Sequence, residues 1–320
     1  MEFRKIIKFG KSSYVVSLPS DWIKKNNIKK GDQIFFEESS NNALIFKINN
    51  TPNKIIKKKI NINSTNKSLI DIERLIISYY VKGYNTFAII DNNMATRSKK
   101  IKAILQNLIG LEILEQTQKR LEAKDLTDIN AISIEGLIKR MDIIIRSMME
   151  DSVNCLSYNK KEIENAIQSI NDRDNDVNRL TFLGYRVLRF YFNYPHLINN
   201  KNLSNQKIFL NLTAIDNLEK IADTIKRRTR LYYKINKDQE YKKELTALLK
   251  ELQNIYANAM KAYLTEDTNL AFKIVSTKDI VIDTHKKFLS KYNDVETALI
   301  TENLNSKLIY IRNLARTILG

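Results

Sequence analysis

From about Asn130 to the C-terminus the chain carries apolar side chains at steps of three and four, a period that fits amphipathic helix and no other regular structure. Ile134, Leu137, Met141, Ile144 and Met148 open the pattern, and similar stripes follow to the end of the chain. Glycine (7 residues) and proline (3) are scarce enough in 320 residues to leave such helices uninterrupted. The loop FNYPHLINNKN holds the only proline of this half and separates its second helix from its third. Helices are expected near 133–158, 161–193 and 204–234, and again near 240–265, 267–292 and 296–319. The order long, long, long therefore occurs twice, and the middle helices carry DRDNDVNRLTFL and STKDIVIDTHKKFL at equivalent places. Two tandem three-helix units are implied.

The N-terminal part has a different grammar. Residues 1–50 read as strands FRKIIKF, YVVSLP, QIFFEE and ALIFKI joined by polar turns, with a short helix DWIKKNN between the second and third. Residues 54–126 alternate: strand KKINI, helix DIERLIISYYVKGY, strand NTFAIID, helix SKKIKAILQNLIG, then strands LEILEQT and KRLEA. That order predicts a small α/β unit with a parallel strand pair joined by a helix. The expected fold class is multidomain α+β, with domains at 1–50, 51–129, 130–236 and 237–320.

With 43% hydrophobic and 28% charged residues, the chain is expected to be globular rather than disordered. One cysteine, Cys155, excludes an internal disulfide and a cysteine-rich zinc site. It falls at helical spacing from Met148 and Met141, so it reads as core filler. The start MEFRKIIKFGK has no apolar h-region, and no stretch reaches the roughly 18 apolar residues of a membrane span. A cytoplasmic location without membrane insertion is expected. The net charge of +17 points to a polyanionic partner, because basic surfaces release the counterions condensed on nucleic acid.

The excess charge is concentrated at the N-terminus. Residues 1–60 carry 13 basic and 5 acidic side chains, with Arg4, Lys5, Lys8, Lys11, Lys24, Lys25, Lys29 and Lys30 around the first two strands and the short helix. Fifty residues in four strands bury little core alone, so pairing with a second copy is expected, as a homodimer or higher even oligomer. A two-fold dimer presents two basic surfaces to neighbouring half-sites of double-stranded DNA.

The run RKIIKFGKSSYVVSLPSDWIKKNNIKKGDQIFFEESSNNALIF resembles the swapped-hairpin domain of the AbrB, MazE and SpoVT family. The likeness lies in a basic first strand, the turn Phe9-Gly10-Lys11, an apolar strand ending at Leu18-Pro19, a short helix, and Ile28-Lys29-Lys30-Gly31-Asp32 before the next strand. It implies a dimeric barrel of interlaced hairpins whose basic face lies on DNA, with Arg4, Lys5, Lys11, Lys24 and Lys25 as contacts, chiefly to phosphates. Lys8 belongs to the same basic strand. Ser12 and Ser13 are extra residues between turn and second strand, and their hydroxyls add phosphate donors. Lysine dominates over arginine, which favours backbone attraction over base reading.

The tandem helices of residues 130–320 resemble the phosphate uptake regulator family PhoU, on Leu218-Glu219-Lys220-Ile221-Ala222-Asp223 in the third helix and DRDNDVNRL in the second. The section between, with YYVKGYNTFAIID and LIGLEILEQ, is similar to the connecting piece of archaeal-type members. The resemblance implies divalent or iron cations at carboxylate sites. Glu219 and Asp223, four apart, share a helix face, and Asp174 sits between Ile170 and Val177 on an apolar stripe where a carboxylate needs a partner. In the second repeat Asp279 and Asp283 keep the spacing, but Arg312 and Arg316 stand where the acidic pair belongs. Guanidiniums facing Asp279 and Asp283 are expected to form salt bridges there and exclude a cation. His196 and His285 read as core or rim residues.

No phosphate-cradling glycine loop, zinc-protease motif or nucleophile–base pair is present in the sequence, so an enzyme is not expected. Two functions fit. One is a DNA-binding regulator of phosphate homeostasis whose helical half senses or relays phosphate status. The other is a signalling adaptor acting on a phosphate transporter or its sensor protein, with the hairpins used only to dimerise.

Overall fold

The computed structural model describes residues 3–39, 43–48, 57–194 and 204–319. It divides into two compact units, Met1–Ile56 and Lys57–Gly320.

In the first unit, β1 (Ile7–Phe9) pairs with β2 (Ser13–Val15), helix α1 spans Ser20–Lys25, and β3 (Phe35–Ser39) pairs with β4 (Ala43–Lys47). The two antiparallel pairs are separate two-stranded sheets. The strands are shorter than the apolar runs in the sequence. Pairing ends at Val15, and the backbone then runs extended to Pro19, whose carbonyl accepts the first intrahelical hydrogen bond of α1 from Ile23 at 3.1 Å. Gly10 and Gly31 both hold positive φ, +70° and +97°, which a side chain would strain. Ser13 lies inside β2 opposite Phe9, so the β1–β2 turn is Gly10-Lys11-Ser12 and only Ser12 of the two extra serines is a turn residue.

The second unit begins with a sheet in the order β5–β6–β8–β7: β5 (Lys58–Asn63), β6 (Tyr84–Ile90), β7 (Leu111–Gln116) and β8 (Arg120–Asp125). β5 and β6 run parallel, joined by α2 (Leu69–Val81); β6–β8 and β7–β8 are antiparallel, and α3 (Met94–Gln106) connects β6 to β7. Alternate residues of β8 separate the faces. Leu121, Ala123 and Asp125 are buried, the first two in a core shared with Ile72, Ile76 and Tyr80 of α2 and Ile101 and Leu105 of α3. On the other face Glu122 pairs with Lys59 at 3.2 Å and with Arg120.

The helices that follow are α4 (Ile134–Asn154), α5 (Lys160–Asn193), α6 (Asn205–Tyr232), α7 (Gln239–Thr265), α8 (Thr268–Ser276), α9 (Lys278–Tyr292) and α10 (Val295–Arg316). Side-chain caps fix the start of all but α9: Ser133, Asn159, Ser204, Asp238, Asp267 and Asp294 each accept a backbone N–H of the first turn. The helix expected near 267–292 is broken into α8 and α9. Thr277 at the break keeps helical dihedrals and offers no cap; its hydroxyl donates to the Ile274 carbonyl at 2.8 Å, and Arg312 donates to the Val275 carbonyl at 3.1 Å. Carbonyls drawn out of the i→i+4 ladder kink a helix, and these two account for the break. α6 packs on α4, α5 and α10, while α10 packs on α6 to α9, so the last helices of the two trios meet at the centre. The proline loop after α5, with His196, lies outside the described residues.

Arg186 of α5 joins the helices to the sheet. Its guanidinium donates to Asp125 and to the Tyr80 carbonyl, reaches the Tyr84 carbonyl at 2.9 Å, and lies 4.6 Å from the centre of the Tyr80 ring. Both charges of the Arg186–Asp125 pair are fully buried.

Candidate functional site

Two places gather the residues singled out from the sequence: the hairpin unit and the α5–α6 contact.

The hairpin unit has no buried side chain among its described residues. Register explains how its surface is divided. Ile7 faces Val15 and Phe9 faces Ser13 across one side of the β1–β2 pair, while Lys8 and Tyr14 share the other. Ile7 is 64% exposed and Phe9 71%; Phe36 and Phe46, with ring centres 6.4 Å apart on β3 and β4, are exposed as well. Aromatic and β-branched side chains in such density at the surface signal a missing partner surface rather than a finished monomer. Arg4, Lys5 and Lys8 on and before β1, and Lys11 and Ser12 in the turn, are all exposed. Lys24 and Lys25 occupy the last turn of α1, where cations complement the helix dipole and project into solvent. The turn after α1 is held by Asp32, whose carboxylate accepts the Lys29 N–H at 2.7 Å.

At the second place, packing of α5 on α6 sets Asp174 opposite Asp223, but their counter-ion is a side chain of the protein. Lys226 donates to Asp174 at 2.6 Å and lies 3.0 Å from Asp223. Asp223 also pairs with Arg227 at 2.6 Å, and Asn178 donates to Asp174 at 3.3 Å. Burial pulls the pKa of Lys226 down, but its bonds to Asp174 and Asp223 outweigh that and hold the ammonium above its usual value. Glu219 is half buried and has no ion pair among the described residues. Burial, then the charges of Asp223, Asp174 and Asp216, raise its carboxyl above the usual range. Among the described residues no group of three or more His, Cys, Asp or Glu side chains is arranged to hold a metal ion. The carboxylates as they stand do not fit a metal, because an ammonium already sits between two of them.

The second repeat also departs from expectation. Arg312 and Arg316 form no ion pair with Asp279 or Asp283 among the described residues: Arg312 serves the Val275 carbonyl and Arg316 bonds Asn313 at 3.3 Å. Asp279 and Asp283 are exposed, the latter 3.7 Å from Lys286. His285 is buried and bonds Asn305 at 2.6 Å, and Cys155 is buried with its thiol pushed up to about 11 by that burial.

Lys226 is not among the residues that the sequence pattern marks, although it stands seven residues after Glu219 on the same face of α6, a spacing that could have flagged it.

Residues 7–53 match the family model described as antidote-toxin recognition MazE, bacterial antitoxin. The match covers β1 to β4 and ends before the second unit begins. A MazE-like domain fits dimerising, DNA-binding or antitoxin-type regulation, and the exposed apolar and basic faces of the hairpins suit both halves of that description. No curated protein and no solved structure matches the chain. The likeness of the helical half to phosphate uptake regulators rests on its residue pattern alone. Among the described residues no helix is long and apolar enough to cross a membrane.

Proposed function

We propose that the chain is a cytoplasmic, DNA-binding transcriptional regulator of phosphate uptake, with the hairpin unit as reader and the helical half as its control module. The observation that carries the DNA-binding part is the division of the β1–β2 pair into an apolar side, Ile7, Phe9 and Val15, and a side holding Lys8. Two copies joined through their apolar sides as a swapped-hairpin barrel leave the lysines of β1, the turn and α1 outward, spaced for phosphates of double-stranded DNA. The helical repeat pattern supports the phosphate signal. No catalytic step is assigned.

The test is binding to duplex DNA across a salt series. Affinity should fall steeply with salt, and the triple variant Lys11→Ala, Lys24→Ala, Lys25→Ala should reduce the log–log slope by about 0.9 for each phosphate left without its lysine, while the dimer persists. An unchanged slope would overturn the assigned surface. A second reading is a signalling adaptor that acts on a phosphate transporter or its sensor protein and uses the hairpins, with their exposed apolar side, only to dimerise. Sequencing the DNA that co-purifies in high and low phosphate separates the readings, since only the first requires specific fragments that change with phosphate.

A further inference from the structure

Among the described residues, the junction of the two helix trios contains two buried cations and no acid paired with them. Arg228 of α6, a guanidinium cation, is 1% exposed. All three of its acceptors are neutral: Tyr232 Oη at 2.9 Å, Asn303 Oδ1 at 3.3 Å and Ser152 Oγ at 3.2 Å. Lys307 of α10, also 1% exposed, lies one helical turn beyond Asn303, on the face of α10 that meets Arg228. Among the described residues neither cation has a carboxylate at ion-pair distance. Arg186, by contrast, is buried together with the aspartate that balances it, Asp125.

Taking a charge out of water costs several kcal/mol even after relaxation, and a like charge nearby adds to it. Burial, and behind it the charge of Arg228, accordingly push the Lys307 ammonium far below its usual range. Loss of that proton discharges Lys307 but leaves Arg228 uncompensated. One negative charge placed between them answers both.

We propose that the α6–α10 junction binds a small monovalent anion of the chloride class between Arg228 and Lys307. A halide needs about the space of one water, whereas a tetrahedral oxyanion needs more room and more donors. The donors at hand are the Lys307 ammonium, the N–H bonds of Arg228 not directed at Tyr232, Asn303 or Ser152, and the hydroxyl of Ser152, which itself accepts from Thr229 at 3.0 Å. Because the site lies between the last helices of the two trios, the ion would tie one repeat to the other. This inference is independent of DNA binding and of the phosphate signal.

The experiment is thermal unfolding of the full chain in sodium chloride or bromide against sodium gluconate at equal ionic strength. Halide at a hundredfold excess over its Kd should raise Tm by roughly 5 °C. Lys307→Met should abolish the halide dependence and be no less stable than the native protein in gluconate. Identical midpoints in all three salts, or a halide dependence that survives in Lys307→Met, would overturn the proposal. Should Lys307→Met fail to fold, crystals of the native protein in bromide decide: an anomalous peak at Arg228 and Lys307 supports the site, and its absence at saturating bromide rejects it.

Discussion

The ammonium of Lys226 on α6 lies 2.6 Å from the carboxylate of Asp174 on α5, where the resemblance to phosphate uptake regulators implies a metal ion. Asp174 is 3% exposed, so its charge depends on that neighbour. Removing one member of a buried pair typically costs about 3–5 kcal/mol, because the other remains buried and charged. Lys226→Met should therefore lower stability by about 3 kcal/mol in urea unfolding. With the ammonium gone, Asp174, Glu219 and Asp223 offer oxygen ligands without an internal cation, and millimolar manganese should restore part of the loss in the variant. The native protein, purified without chelator, should carry no stoichiometric metal by elemental analysis. A full equivalent in the native protein would mean that Lys226 leaves the carboxylates when metal arrives.

Glu219 supplies a prediction with a definite pH sign. Its folded-state pKa is raised above the ordinary 4.5 by burial and then by Asp223, Asp174 and Asp216. A carboxyl raised on folding contributes stability that is complete below its unfolded pKa and lost as pH rises through the folded value. Glu219→Gln removes that loss. The variant should match the native protein near pH 4 and exceed it at pH 7, read as the urea midpoint at each pH. A variant less stable at pH 7 would show that the Glu219 charge has a favourable partner.

Arg186 and Asp125 join α5 to the sheet through fully buried charges, so each depends on the other. Arg186→Met should cost about 3–5 kcal/mol. Adding Asp125→Leu to that variant should recover much of the loss, since an apolar pair leaves no stranded charge. If the double variant were as unstable as the single, the bonds from Arg186 to the Tyr80 and Tyr84 carbonyls would be the dominant part of the interaction.

Much of this architecture is legible in the sequence because it rests on local rules. The stripe from Ile134 to Met148, the caps at Ser133 and Asn159, and the glycines at positive φ are all set by residues within a turn or two of each other. What is not legible depends on contacts far apart in sequence. The α8–α9 break follows from Arg312 reaching Val275 across a helix interface, and no property of STKD announces it. The expected Arg312 pairing with Asp279 fails for the same reason. The burial of Asp174 is readable from its place between Ile170 and Val177, yet the identity of its partner requires knowing that α5 lies against α6. Arg228, between Ile225 and Tyr232, and Lys307, between Leu304 and Ile311, likewise fall on apolar stripes, but only the meeting of α6 with α10 shows that the two cations share an interior without a carboxylate among the described residues.

The hairpin surface yields the sharpest separation of roles. Ile7 and Val15 face each other on the apolar side of the β1–β2 pair, and Lys8 points to the opposite side. Burying a side chain of this size is worth about 1.5–3 kcal/mol, so the two residues in both chains of a dimer supply roughly 6–12 kcal/mol of association. Ile7→Lys with Val15→Lys should leave the helical unit folded by circular dichroism yet shift sedimentation to monomer at micromolar concentration, and DNA affinity should fall with it. Lys8→Ala should leave the dimer intact and reduce only the salt slope of DNA binding, by about 0.9 for each phosphate that Lys8 neutralises. A monomer that bound DNA as tightly as the native protein would detach recognition from dimerisation and move the interface away from the hairpins.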